Sequence, residues 1–113
     1  MENESKVIST IQFNYDYVDY TLEYNRTSVK AMEMNGFSIV KLSDFSYTQL
    51  ELLFKGAFIM HHPTISEDRI MEIFDHMGNK EELWATLVAM VQTTYTSLVD
   101  EPAEKNIKWE AKK

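Results

Sequence analysis

Apolar and polar residues change rhythm along this chain, and each change marks a different kind of structure. Residues 7–13, "VISTIQF", alternate, with Val7, Ile11 and Phe13 on one face and Ser9 between them. Residues 17–24, "YVDYTLEY", alternate more cleanly. Val18, Tyr20, Leu22 and Tyr24 face one way, and Tyr17, Asp19, Thr21 and Glu23 the other. Period-two patterning in β-branched and aromatic residues, joined by the polar link "NYD", predicts a β-hairpin. A lone hairpin is marginal in water, so its apolar face needs a cover.

The period then becomes helical. In "RTSVKAMEMNGF", Val29 and Met32, with or without Met34, suit a short helix that Asn35-Gly36 can stop in a left-handed turn. "FSIVKL", residues 37–42, can return as a third strand, with Phe37 and Ile39, with or without Lys41, on one side. From residue 46 the helical signal is strong. Leu50, Leu53, Phe54, Ala57, Phe58 and His61 recur at helical spacing, behind a Ser46/Gln49 capping box. Ile70, Ile73, Phe74 and Met77 form the stripe of another helix, with Gly78 at its close. Asn79 and Glu82 open a last helix that reaches about Val99.

The predicted fold class is α+β: a small antiparallel sheet packed on a bundle of three to four helices, in one domain over 1–101. Residues 102–113, "PAEKNIKWEAKK", read as a flexible charged tail.

Composition narrows the chemistry. The 113 residues fit one domain, and 44% hydrophobic with 26% charged residues is ordinary for a folded chain. Eighteen acidic against 11 basic residues give a formal charge of −7. That repels phosphate backbones and anionic lipid, so neither nucleic acid nor membrane is an expected partner. No cysteine is present, which removes disulfides, thiolate zinc sites and a cysteine nucleophile. Gly36, Gly56 and Gly78 are too scattered for a phosphate-cradling loop. No apolar run approaches the ~20 residues of a membrane span, and "MENESK" does not read as a signal peptide. A cytoplasmic location is expected.

The run most suggestive of chemistry is "GAFIMHHPTISEDRIMEIF", residues 56–74. Adjacent helical residues point about 100° apart, so His61 and His62 cannot grip one ion from the same helical face. Pro63 disfavours a helical His62. Thr64 or Ser66 can cap the next helix, with Glu67 and Asp68 in its favourable first turn. The stretch spells a helix stop and a helix start. A metal site would need His76 and Asp75 to meet His61 or His62 in space, and imidazole-only sites need three convergent groups. No catalytic residue, metal or cofactor is expected.

The order of features resembles the small tail assembly chaperones of long-tailed (siphovirus-type) bacteriophages. The resemblance covers about Leu22 to Met90. It consists of a hairpin, a short helix with "ME-x-x-GF" near its end, then "L-x-x-L-x-x-GAF-x-x-HHP", and a capped acidic helix start at Thr64–Asp68. The resemblance implies a protein without catalysis. It would bind the apolar tape-measure protein, keep it soluble and bring tail-tube subunits to it, in the host cytoplasm and outside the mature virion. It also implies that a longer, frameshifted form can exist, and Ala111-Lys112-Lys113 can be encoded by a run of adenines.

Several residues suit such binding. The last helix is apolar at Leu83, Trp84, Leu87, Val88, Met90, Val91, Tyr95 and Leu98. These cover an arc of roughly 160°, wider than one core contact needs. The surplus suits a client helix or a second copy, although a helix buried on two sides shows the same arc. Met34 fits its helix stripe poorly and sits near Phe37, which makes the pair a candidate contact patch. Candidate protein-binding residues are therefore Met34, Phe37, Trp84, Val88, Tyr95 and Trp109; the last can fold back or dock. The alternative function is a small acidic inhibitor or adaptor mimicking nucleic acid. It would want a continuous acidic face, whereas these carboxylates are interleaved with apolar stripes.

Overall fold

The computed structural model describes residues 9–100, 107 and 109–112. Strands β1 (Ile11–Tyr15) and β2 (Val18–Leu22) pair antiparallel, with Phe13 opposite Tyr20 and Tyr15 opposite Val18. The turn is Asp16-Tyr17, with φ of 54° and 68°. Positive φ at both turn residues matches the right-handed twist of the flanking strands. It therefore forms here without the usual glycine, two residues later than "NYD" at 14–16 suggested. Residues 7 and 8 of the expected first strand lie outside the described residues. Tyr20, Leu22 and Tyr24 are buried as the alternation predicted, whereas Val18, beside the turn, is exposed.

Helix α1 (Arg26–Met34) is capped reciprocally by Asn25 and Ser28 and ends at Gly36, whose φ of 104° places it in the left-handed region. The third strand expected at 37–42 does not form. Ile39–Lys41 is a 3-10 turn, closed by local bonds from Lys41 N–H to the Ser38 carbonyl and from Leu42 N–H to that of Ile39. Two outward donors at the end of β2 and just beyond it are already occupied, Thr21 N–H by His62 Nε2 and Glu23 N–H by the Ala57 carbonyl. A third strand would find that stretch of the edge already taken. Phe37 and Leu42 are buried instead, a spacing that no strand face has.

Helix α2 (Tyr47–Ala57) is the centre of the core. Leu50, Leu53, Phe54, Ala57 and Phe58 are all fully buried. Ser46 Oγ accepts from Gln49 N–H at 3.3 Å, but the Gln49 side chain accepts from Ser38 N–H, so the box is only half formed. Helix α1 crosses close to α2 because Gly56 has no side chain: a Cβ there would lie 2.1 Å from Met32 Sδ.

Helix α3 (Glu67–His76) starts at the Ser66 cap, with Glu67 and Asp68 in its first turn, and buries Ile70, Ile73 and Phe74. Met77 ends it and Asn79, not Gly78, carries the positive φ. Helix α4 (Lys80–Asp100) begins where Asn79 Oδ1 accepts from Glu82 N–H at 3.2 Å. Its inner face buries Leu83, Leu87, Met90 and Val91. Among the described residues the architecture is α+β, a two-stranded sheet on four α-helices. The predicted tail boundary at 102 lies outside the described residues.

Candidate functional site

The histidine junction resolves into three separate positions. Helix α2 stops at Ala57, so His61 falls beyond the stripe that the spacing gave it; it is exposed, with Nε2 2.8 Å from Glu23 Oε1. His62 Nε2 accepts from Thr21 N–H at 3.0 Å, which requires that nitrogen to be unprotonated. Burial first, and the neighbouring His61 second, hold the His62 imidazole below its ordinary pKa. His76 sits against Tyr15 instead, ring centroids 5.4 Å apart, and its Nδ1 donates to the Glu72 carbonyl at 2.9 Å. Among the described residues, no three His, Asp or Glu side chains are grouped to hold a metal.

A polar cluster clamps the hairpin to α3. Arg69 reaches Glu72 at 3.1 Å and Asp16 at 3.4 Å, touches the Tyr20 hydroxyl, and lies 5.0 Å from the Tyr15 ring centroid. The Tyr15 hydroxyl donates to Glu72 Oε2 at 2.9 Å. That bond raises the Tyr15 pKa and lowers that of Glu72, while the bond to Tyr20 keeps Arg69 firmly charged. Every member has a partner within the cluster. Its arrangement explains how the turn is anchored, and sequence periodicity gave no sign of it.

A cluster of aromatic side chains that meets solvent lies elsewhere. Trp84 on α4 packs edge-on against Phe45, centroids 5.4 Å apart, and Phe45 packs against Tyr47 at 5.2 Å. Phe45 is 42% and Tyr47 58% exposed, and Trp84 is half-buried. The three rings form a raised aromatic cluster where the loop before α2 meets the first turns of α4. Its origin is local. Ser46 between the two rings is the α2 cap, so its side chain is committed to the helix end and Phe45 and Tyr47 flank that end. Aromatic area of this kind, rigid and only partly covered, is characteristic of binding surfaces.

The other expected contact residues lie outside this trio of rings. Val88 follows Trp84 by one turn and is half-buried; Tyr95 is half-buried on the same helix, and its hydroxyl donates to Glu33 Oε2. Burial first, and Glu33 second, raise the Tyr95 pKa. Met34, next to Glu33, is 86% exposed. Phe37 is not: it is 4% exposed and belongs to the core. The Met34–Phe37 pair is therefore no joint patch, because the left-handed turn at Gly36 sends the chain back inward between them. Trp109 is 84% exposed. Phe45 and Tyr47 were missed by the sequence reading. Two aromatics straddling a cap residue was the available signal.

A groove of about 460 Å³ also opens between α1, α2 and α3, floored by Met32, Leu52, Gly56 and Ile70. The Lys55–Glu67 ion pair, 2.8 Å, stands at its rim and lowers the Glu67 pKa. Among the described residues, no helix is long and apolar enough to cross a membrane.

Fold and surface together define a small α+β protein with a tightly closed core and a partly uncovered aromatic cluster. The chain belongs to the family of a domain of unknown function, DUF5055, whose model matches residues 4–113. No curated protein and no solved structure matches it.

Proposed function

We propose that this protein is a tail assembly chaperone of a long-tailed bacteriophage. It binds apolar helical segments of the tape-measure protein in the host cytoplasm, helps recruit tail-tube subunits, and is absent from the mature virion. The observation that carries the reading is the Phe45–Tyr47–Trp84 cluster. Three aromatic rings left partly open on an acidic chain suit an apolar helix laid in a shallow site. Their position at one end of α4 leaves Val88 and Tyr95 to extend the contact along the same helix. The order of elements from Leu22 to Met90 supports the same reading.

Co-expression tests it. A tape-measure fragment that precipitates alone should become soluble with the wild-type protein. A Phe45→Ala, Trp84→Ala variant that keeps the wild-type circular dichroism should lose that effect. Failure of the wild-type protein to raise the soluble fraction overturns the proposal. Tail-tube and tape-measure genes on either side of the coding sequence are expected.

A further inference from the structure

The hairpin has two long edges, and β2 closes only its own. Thr21 N–H and Glu23 N–H point away from β1, to His62 Nε2 and the Ala57 carbonyl, each at 3.0 Å. Their direction fixes the phase of the ladder. Ile11, Phe13 and Tyr15 exchange hydrogen bonds with Leu22, Tyr20 and Val18, so Gln12 and Asn14 turn their N–H and C=O groups outward. Among the described residues, no hydrogen bond reaches the Gln12 or Asn14 backbone.

Open strand edges are ordinarily protected by lysine, proline, a bulge or an inward charge. The stretch "STIQFNY", residues 9–15, carries no charge and no proline in a chain that is 26% charged, and its pairing with β2 is regular. Ile11 and Phe13 are only half-buried, although their cross-strand partners Leu22 and Tyr20 are buried. A row of amides thus lies open along an edge whose apolar side chains, Ile11 and Phe13, are only partly covered by the core.

We propose that β1 pairs antiparallel with β1 of a second copy, joining two hairpins into a four-stranded sheet across a twofold axis. Centred on Phe13, the register sets Phe13 opposite its equivalent, Gln12 opposite Asn14 of the second copy, and Ile11 opposite Tyr15. Asp16 then falls opposite Thr10, so no two charges are opposed along the seam. Charge is the reason for choosing a second copy. A chain of net charge −7 repels itself over most of its surface, and this uncharged edge is where two copies meet with the least of that repulsion. The central Phe13 pair is a non-hydrogen-bonded one, in which side chains approach closest. A five-residue pairing buries less than the roughly 1,000 Å² of a permanent interface, so the dimer is concentration-dependent. The dimer does not rest on client binding.

Light scattering after gel filtration, over a wide concentration series, should show the mass rising from monomer to dimer. Amide exchange at Gln12 and Asn14 should slow in step, while that at Thr21, bonded within the chain, stays constant. Gln12→Pro removes an N–H that the hairpin does not use, and should leave a folded monomer at every concentration. A protein that stays monomeric throughout overturns the proposal. So does a dimer that Gln12→Pro leaves intact, or protection at Gln12 and Asn14 that does not vary with concentration. If Gln12→Pro does not fold, the wild-type exchange of these two amides decides alone.

Discussion

Helices α2 and α4 carry similar apolar stripes, yet the fold treats them differently. In α2, Leu50, Leu53, Phe54 and Ala57 are fully buried, with hairpin and helices closing over them. In α4, Leu83, Leu87, Met90 and Val91 are buried, while Trp84, Val88 and Tyr95 stay half-open and Leu98 is exposed. Periodicity states which residues share a face. It does not state what covers that face. Trp84, Val88 and Tyr95 pack against the edge of the core, where Phe45 touches Trp84 and Glu33 accepts from Tyr95, and that partial cover is what sets α4 apart from α2 among the described residues.

The largest expected effect tests the closed side of this contrast. Phe54→Ala or Phe58→Ala should cost about 3–5 kcal/mol, since each removes a fully buried ring and leaves a cavity among Phe74, Tyr20 and their neighbours. Chemical denaturation measures it; a loss comparable to that of a surface change would show that α2 is not the centre. Gly56→Ala comes next. Overpacking against Met32 should cost about 1–3 kcal/mol, against at most ~1 kcal/mol from better helix propensity, so the net is a loss. The same substitution in a Met32→Ala background should cost little or become stabilising, because the clashing atoms are gone. A double-mutant cycle with no coupling would contradict the close α1–α2 crossing.

The open side should behave otherwise. Trp84→Ala should cost roughly 1–2 kcal/mol, less than a core ring because part of its surface is already in water. Met34→Ser, at a residue 86% exposed, should leave stability within about 0.5 kcal/mol of wild type. If Trp84→Ala instead matches the Phe54 variant, the aromatic cluster is core and the contrast between the helices disappears.

Much of the closed side was legible in advance. The stripes of α2 and α3, the alternation at Tyr20, Leu22 and Tyr24, and the caps at Ser46, Ser66 and Asn79 are all local patterns, and local geometry enforces them. What was illegible depends on contact between distant segments. "FSIVKL" alternates like a strand, but the nearest donors of the β2 side, Thr21 and Glu23, are bonded to His62 and Ala57, and the segment closes on itself as a 3-10 turn. Met34 and Phe37 are neighbours in sequence, yet the turn at Gly36 sends one outward and the other inward. The aromatic cluster joins residues 45 and 84, a proximity that no periodicity encodes. Trp84 was identifiable from its helix; its two partners were not.

The smallest effect is a pH dependence at the seam between α2 and the hairpin, where the closed region ends. His62 is held neutral between Tyr20, Phe58 and His61 and accepts from the Thr21 amide. Its pKa in the folded protein lies below its ordinary value of 6.5, because burial disfavours the imidazolium. The unfolded chain therefore takes up this proton first as pH falls. The His62 contribution is complete above pH 6.5, declines as pH drops below it, and stops changing once the folded-state pKa is passed. Glu67 and Glu72 act in a lower window. Their folded pKa values lie below 4.5, so their contribution is complete above 4.5 and is lost as pH falls through the folded values. Urea midpoints between pH 8 and pH 3 should thus fall in two stages, and His62→Gln should flatten the upper stage while leaving the lower one. An unchanged upper stage in His62→Gln would mean that the imidazole does not hold the Thr21 amide. The closure of the β2 edge, which kept residues 37–42 from forming a strand, would then rest on Ala57 alone.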